Sequence, residues 1–324
     1  MKIQPKADIT GTTPPISPSS SSRDEKNTKV QVAVDEPQNA LTCKFTEEEW
    51  DALRQLRLRL DKVYTNAYGP DAPEPKVFSL WGIPVDVANS ASDPRASVVL
   101  MKFLRAAKYG FVTAINFALA LNVDVAQVLL TNALKWRKMF KIISTDKVMT
   151  SAYKNSSFTH FGHDKEGIPV IYLKVSKINW ERFRIDRIGA LVSAVISVEQ
   201  QLRTADFQTS SQIVLVSDFS GMKLSRLPPS YYADEMKFMK YFYPDFCAYT
   251  ISINTPCACV INGRLWLEKL FRPRLRARLT KITAVGTNKN KIVRALLAQI
   301  DAEQLPNQFG GKAVGFTWPP HKAS

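Results

Sequence analysis

Residues 241–281 have the sequence YFYPDFCAYTISINTPCACVINGRLWLEKLFRPRLRARLTK. An aromatic cluster leads into an apolar run that ends at the Asn-Thr-Pro break of residues 254–256, and a second apolar segment leads into a dense run of arginines. This order predicts a helix end, a buried strand, an amphipathic helix over 257–271 and a second strand near 281–286. A large apolar helix that carries cations beside a buried sheet suggests a lid over a hydrophobic pocket that opens at an anionic surface.

Strands and helices alternate along the second half of the chain. The segment 213–216 is apolar at every position, which is typical of a strand covered on both faces. Such alternation predicts an α/β fold with a mostly parallel sheet. Strands are expected at 158–161, 168–175, 213–216 and 248–253, and helices at 186–204, 229–242 and 288–301.

The first half of the chain is a polar segment followed by a helical region. Residues 1–42 are rich in Pro, Ser and Thr and poor in large apolar side chains, so we expect a disordered N-terminal segment. Residues 45–145 show helical spacing and are predicted to form a helical unit. The sheet domain is expected at 150–313, and residues 314–324 are expected to form a tail.

Capping residues mark two helix starts within the helical unit. Residues 46–49 have the spacing of a capping box, and the helix that they start is expected to carry Leu60 on its apolar face. Asp93-Pro94 starts another helix, whose apolar face does not include Lys102. Two further helices are expected near 112–121 and 124–140.

A formal charge of +15 and an isoelectric point near 9.6 indicate an anionic partner, either nucleic acid or a membrane surface. No apolar run is long enough for a membrane-spanning helix, and the first residues lack the apolar core of a secretory signal. The four cysteines give no disulfide framework in a chain of 324 residues, which favours a cytosolic protein with reduced thiols.

Several short segments together resemble one family of proteins. They are Trp81-Gly82-Ile83-Pro84, residues 100–106, residues 134–138, residues 162–170, residues 216–222, Tyr243-Pro244-Asp245, Asn254-Thr255-Pro256 and residues 309–312. In this order and spacing, over roughly 78–313, the chain resembles the CRAL-TRIO lipid-binding proteins, which include phosphatidylinositol transfer proteins. The segments at 81–84 and 162–170 look most similar to plant patellins and to a fungal haem-binding branch.

The resemblance implies a hydrophobic pocket in the sheet domain, closed by the helix after residue 256. It also implies an inositol-phosphate site at Lys108, Asp245 and Lys281, because a phosphate attracts cations and a carboxylate accepts hydrogen bonds from inositol hydroxyls. Surface charge is the alternative for the two lysines, and a carboxylate that ends a turn is the alternative for Asp245. The implied pocket and lid positions are Ile213, Leu215, Phe219, Leu267, Leu270 and Phe271.

The residues around the central strand bear on which ligand is bound. Ile213 and Leu215 stand where phosphatidylcholine binders of the family carry hydroxyl residues, so a choline site is not expected. Ser217 and Phe219 stand where the haem branch places His and Tyr, and neither ligates iron well. We therefore expect a phospholipid, most simply phosphatidylinositol, and no haem or other cofactor.

The basic run after residue 263 is expected to dock the protein on anionic membranes. Apolar side chains interleave with the cations and suit insertion among lipid head groups, whereas no nucleic-acid-binding motif is present. A solvated helix face is the alternative. The expected docking residues are Arg264, Lys269, Arg272, Arg274, Arg276 and Arg278.

An enzyme is not expected, because the chain has three histidines and no Gly-x-Ser-x-Gly nucleophile elbow. We predict a monomeric cytoplasmic protein that associates peripherally with membranes, binds a phospholipid and transfers or presents it there. No nucleic acid is expected as a partner. Two alternatives stay open: a carrier of another hydrophobic ligand, such as a sterol, a tocopherol-like molecule or haem, and a lipid-sensing scaffold that recruits partners through the N-terminal segment.

Overall fold

The computed structural model describes residues 35–108, 121–139, 157–186, 199, 201–223, 242–256 and 282–318. The chain divides into two compact units, residues 1–31 and residues 32–324, and every described residue belongs to the second. The expectation of disorder over residues 1–42 therefore falls mostly outside the described residues. The predicted helices near 112–121, 229–242 and 257–271 also lie almost entirely outside them.

Four helices form most of the described N-terminal part: α1 (Glu47–Arg57), α2 (Leu60–Tyr68), α3 (Pro94–Lys108) and α4 (Val123–Met139). The capping box is confirmed, since the Thr46 hydroxyl accepts from the Glu49 amide and the Glu49 carboxylate accepts from the Thr46 amide, both at 3.2 Å. The prediction that this helix extends to Leu60 is wrong. The chain makes a tight turn between α1 and α2, where the Arg59 amide donates to the Leu56 carbonyl.

A β-hairpin lies within the region predicted to be helical. Strands β1 (Val77–Leu80) and β2 (Ile83–Asp86) pair antiparallel. The two residues between them, Trp81 and Gly82, have φ angles of 55° and 84°, which is the geometry that suits a two-residue hairpin turn. The purely helical description of residues 45–145 is corrected accordingly: alternating apolar residues bury one face of this short hairpin against the helices.

The second half contains a five-stranded sheet with the order β3-β4-β5-β6-β7. β3 (Phe158–His163) and β4 (Pro169–Lys174) form an antiparallel hairpin, and β5 (Ile213–Asp218), β6 (Cys247–Ile253) and β7 (Ile282–Ala284) follow in parallel with β4. The predicted α/β class and mostly parallel sheet are confirmed.

Two further helices accompany the sheet, α5 (Trp180–Ile185) and α6 (Lys289–Leu297). Short 3-10 helices occur at Thr42–Lys44, Val175–Lys177 and Asn307–Phe309. α6 matches the helix predicted near 288–301, whereas the helix predicted at 186–204 is described only at its end. Within the described ranges, no helix is both long and apolar enough to cross a membrane.

One face of the sheet is closed by α6 and the residues after it. We call this the closed face; its strand residues are Val170, Tyr172, Val214, Val216, Ile251 and Ile253. They pack against Ile292 and Leu296 of α6 and against Phe309. Phe316, in the segment expected to be a tail, also packs here, with its ring edge-on to Tyr172 and Phe309.

The helices and the sheet share a second hydrophobic core. Trp50, Trp81 and Phe103 from the N-terminal part belong to the same buried cluster as Ile171 and Ile213 from the sheet. Because this cluster is continuous, the N-terminal helices cover one end of the face opposite the closed face.

Candidate ligand-binding site

The face of the sheet opposite the closed face carries one row of small side chains. In one row across the strands it presents Leu173, Ser217, Ser252 and Ala284, which lie side by side in the strand register. The neighbouring row on the closed face presents Tyr172, Val216, Ile251 and Thr283. After Leu173 the first row therefore contains only small side chains, whereas the second row keeps larger apolar side chains as far as β6. We call the face with the small row the open face.

Part of the open face is accessible, whereas Ser217 on the same face is buried. Leu215 on the central strand and Thr250 and Ser252 on β6 are half-buried, and Ala284 is exposed. On the closed face, Ile251 is 1% exposed and Ile253 is 0% exposed. Because small side chains leave room in front of interior strands, the open face has the form of the floor of an apolar ligand cavity.

Of the predicted pocket residues, Leu215 packs against the cluster of Phe219, while Ile213 is buried in the core shared with the N-terminal helices. Ile213 and Leu215 both project from the open face of β5, and Phe219 follows that strand. Leu215 packs against the cluster that contains Phe219, Leu173 and Trp180. The predicted lid residues Leu267, Leu270 and Phe271 lie outside the described residues.

Asp245 lies at the amino end of β6, where a tight turn gives it a φ of 53°. Its carbonyl oxygen accepts hydrogen bonds from Lys102 Nζ at 2.8 Å and from Gln212 Nε2 at 3.2 Å. The side chain is half-buried, and no residue in the described ranges donates a hydrogen bond to its carboxylate. The carboxylate can therefore accept hydrogen bonds from a ligand.

Lys102 is a residue that sequence reasoning missed. It was predicted to lie away from the apolar face of its helix, but its side chain is 3% exposed. Burial lowers the pKa of the ammonium to about 8; Asp245 partly offsets this effect and Arg105 adds to it. The flanking Met101 and Phe103 did not indicate that Lys102 is buried, because spacing along a helix does not show which positions face a distant part of the chain.

The other two predicted head-group residues are not described at the side-chain level. Lys108 is the last residue of α3, and nothing beyond its place on the backbone is described. Lys281 lies outside the described residues, immediately before β7 begins at Ile282. The predicted membrane-docking residues Arg264, Lys269, Arg272, Arg274, Arg276 and Arg278 also lie outside.

A buried ion pair fastens the helices to the turn before β6. Arg137 of α4 donates to both carboxylate oxygens of Glu199, at 2.8 and 2.7 Å, and Tyr243 Oη donates to Glu199 at 3.1 Å. Burial alone would lower the pKa of Arg137, but the Glu199 charge raises it overall. Burial and the Glu199 charge together raise the pKa of Tyr243. Tyr243 lies two residues before Asp245 in the chain, so this network fixes the start of the turn that contains Asp245.

A second polar cluster lies at the carboxyl ends of the strands. The Asp218 carboxylate accepts from Lys174 Nζ at 2.5 Å, from Asn254 Nδ2 at 2.8 Å and from the Ser220 amide at 2.8 Å. Burial alone would raise the pKa of Asp218, but these hydrogen bonds lower it overall. Because its acceptor sites are occupied, Asp218 joins the strand ends and is not a free ligand group. Within the described parts of the chain, no group of three His, Cys, Asp or Glu side chains could hold a metal ion.

Comparison with known proteins identifies the domain. Residues 153–311 match the family model of the CRAL/TRIO domain. Patellin-2 of Arabidopsis thaliana is 26% identical over 247 residues, which cover 74% of this chain and 33% of patellin-2. Phosphatidylinositol transfer protein sfh5 of Aspergillus oryzae is 26% identical over 284 residues, which cover 81% of this chain and 55% of that protein.

Two further matches extend the comparison. The SEC14 cytosolic factor of Candida glabrata is 25% identical over 234 residues, which cover 66% of this chain and 70% of that protein. The crystal structure of Sfh5 superposes with a TM-score of 0.55 at 15% identity, over 78% of this chain and 84% of that chain, so the two share a fold. The chain spans only about a third of patellin-2 and about half of the Aspergillus protein. Residues 153–311 of this chain therefore form a CRAL/TRIO domain, as the sequence resemblance indicated.

Proposed function

We propose that this protein binds phosphatidylinositol, with the acyl chains against the open face of the sheet and the head group near Asp245, and that it transfers or presents this lipid at membranes. The contrast between the two faces of the sheet carries the proposal. One face is closed by large apolar side chains, and the other offers half-buried small residues such as Thr250 and Ser252 on interior strands. An apolar ligand would cover the second face and complete the core.

Head-group contacts decide which lipid is kept. Burial of a methylene group is worth about 0.8 kcal/mol relative to water, but almost nothing relative to a bilayer. Selection between phospholipids therefore falls to polar groups. The Asp245 carboxylate can accept hydrogen bonds from inositol hydroxyls, and Lys108 and Lys281 would supply cations to the phosphate.

The relatives support the same ligand class. One of them is named a phosphatidylinositol transfer protein, and the domain family is CRAL/TRIO. Ile213 and Leu215 carry no hydroxyl groups, although phosphatidylcholine binders of the family have hydroxyl residues at these two positions. Phosphatidylcholine is therefore not the proposed ligand.

The remaining roles in the proposal belong to residues 257–281. The helix predicted at 257–271 would cover the pocket with Leu267, Leu270 and Phe271. The cations from Arg264 to Arg278 would hold the protein on anionic lipid while the pocket exchanges its content. The protein acts as a monomeric, cytoplasmic lipid carrier without catalytic residues.

Native mass spectrometry of the protein purified from cells tests the proposal. We expect a complex heavier than the chain by the mass of phosphatidylinositol, and little or no complex with phosphatidylcholine. A sterol, a tocopherol-like molecule or haem at that position would support the alternative carrier. Phosphatidylcholine as the main lipid would overturn the inference from Ile213 and Leu215.

A further inference from the structure

One buried ammonium group joins three segments that are distant in sequence. Lys102 Nζ lies 5.9 Å from the ring centroid of Trp81 in the β1–β2 turn and 5.9 Å from that of Phe207 in the loop before β5. It also donates a hydrogen bond to the carbonyl oxygen of Asp245, in the turn before β6. The ammonium therefore meets two aromatic faces and one carbonyl, each from a different loop.

All three of these loop residues have a left-handed backbone. The φ angles are 55° for Trp81, 55° for Phe207 and 53° for Asp245. In the described ranges, Asn254 is the one other non-glycine residue with a positive φ. Side chains with a Cβ atom rarely hold this conformation unless the surroundings impose it. The hairpin turn accounts for Trp81, and the Phe207 amide donates to the Ser210 carbonyl at 2.9 Å within its own loop. At Asp245, by contrast, the carbonyl group is held by Lys102 and Gln212.

The conformation of Asp245 decides where its carboxylate can go. Lys102 and Gln212 both donate to its carbonyl oxygen and so fix the orientation of the peptide that follows Asp245. The direction of the Cα–Cβ bond follows from the backbone angles. Lys102 hydrogen-bonds to the main chain of Asp245, and its ammonium leaves the carboxylate free for another partner.

We propose that Lys102 is a positioning residue for the lipid head group: its ammonium holds Asp245 in the left-handed conformation in which the carboxylate is presented to the inositol ring. This inference rests on the proposed function, because Lys102 acts through Asp245. Lys102 is not expected to touch the lipid, since its side chain is almost completely buried.

The charge of Lys102 changes within a pH range in which lipid binding can be measured. The charged groups that face it are Asp245, from the turn before β6, and Arg105, from its own helix; the hairpin and the loop before β5 face it with Trp81 and Phe207, which do not titrate there. Burial lowers the pKa of Lys102 to about 8. Above that pH the amine is neutral, and its hydrogen bond to Asp245 is no longer charge-assisted and becomes weaker.

The contribution of Lys102 to stability changes in the opposite direction to the expected lipid affinity over this pH range. The ordinary pKa of a lysine is 10.5, so the unfolded chain holds this proton at pH values where folded Lys102 has lost it. The contribution of Lys102 to the free energy of unfolding therefore rises between pH 8 and 10.5. A loss of lipid binding just above pH 8 would then report the position of Asp245 and not the unfolding of the protein.

Four variants test this inference: Lys102→Met, Asp245→Asn, the two combined, and Lys138→Met as the matched control. Lys138 makes the same two kinds of contact at an exposed position, a hydrogen bond of 2.9 Å to the Tyr68 carbonyl and a cation–π contact of 5.9 Å with the Tyr68 ring. The measurement is equilibrium extraction of phosphatidylinositol from phosphatidylcholine vesicles, with a thermal melt of each variant. We expect each of the first two single variants to weaken binding about tenfold.

The double variant decides between positioning and a general structural role. If Lys102 acts through the Asp245 carboxylate, the double variant binds no more weakly than Asp245→Asn, whereas independent effects would multiply. The control Lys138→Met should bind like the wild type. Multiplying effects, or normal binding by Lys102→Met beside weak binding by Asp245→Asn, would overturn the role of Lys102.

A pH series covers the case in which Lys102→Met does not fold. Wild-type affinity should fall between pH 7 and pH 9.5, and the affinity of Asp245→Asn should stay flat, because the affected carboxylate is absent. Equal pH dependence in both proteins overturns the inference. Failure of the proposed function looks different: either the wild type extracts no phosphatidylinositol, or Asp245→Asn extracts as much as the wild type.

Discussion

At the scale of single residues, we expect the lysines of the proposed head-group site to matter for lipid binding and to contribute little to the free energy of unfolding. We predict that Lys108→Ala combined with Lys281→Ala abolishes phosphatidylinositol transfer between vesicles, since both cations to the phosphate would be lost. If both lysines are surface residues, the free energy of unfolding should change by less than about 0.5 kcal/mol. Normal transfer at unchanged stability would mean that these lysines are ordinary surface charge.

For the buried ion pair of Arg137 and Glu199 we predict a large loss of stability instead. The side chains of Arg137 and Glu199 are 5% and 0% exposed, so Arg137→Met leaves a buried carboxylate without its bidentate partner. We expect the free energy of unfolding, measured in urea, to fall by about 3–5 kcal/mol. Arg54→Met breaks an exposed pair with Asp51 of similar length and should cost less than about 1 kcal/mol. Equal losses in the two variants would show that burial of the Arg137 pair has no special weight.

Sequence reasoning succeeded and failed at this scale for a physical reason. The capping box at Thr46 and the first helical residue at Pro94 were predicted correctly, because capping depends on neighbours within one turn. The burial of Lys102 and the pairing of Arg137 with Glu199 were not predicted. Each depends on a partner more than 60 residues away in the chain, and spacing along one helix carries no information about that partner.

At the scale of elements, the edge strand β7 offers a direct test of the open face. Ala284 and Thr283 are adjacent and exposed, but Ala284 lies beside Ser252 on the open face and Thr283 beside Ile251 on the other. We predict that Ala284→Trp displaces the co-purified lipid, because the indole fills space in front of the sheet. Thr283→Trp should retain the lipid. Equal retention in native mass spectra would place the ligand away from the open face.

The strands themselves were predictable because their patterns are local. Ile213–Asp218 begins with four consecutive apolar residues, and Phe158–His163 and Pro169–Lys174 flank a turn that contains Gly167. The β1–β2 hairpin was missed, since each of its strands has four residues and the flanking helical pattern dominated. The division of the sheet into an open and a closed face was not predicted either, because it requires the register between strands.

At the scale of the whole molecule, the charge of +15 is proposed to act at a membrane. We predict that replacing Arg272, Arg274 and Arg276 with Gln reduces both sedimentation with phosphatidylserine vesicles and lipid transfer, since each cation near an anionic surface contributes roughly 1 kcal/mol. Measurements at two ionic strengths separate this attraction from apolar contact, because salt screens only the former. Unchanged sedimentation of the triple variant would exclude a docking role for these arginines.

The core shared by the N-terminal helices and the sheet limits which parts of such a protein can be exchanged between relatives by recombination. Trp50, Trp81 and Phe103 complete a cluster with Ile171 and Ile213, so the boundary of the matched domain at residue 153 crosses a continuous interior. Gene recombination at that boundary would join two halves of different cores. We infer that the helical segment and the sheet domain diverge together, with compensating substitutions on both sides, and that an exchange between relatives succeeds only when both are moved as one unit.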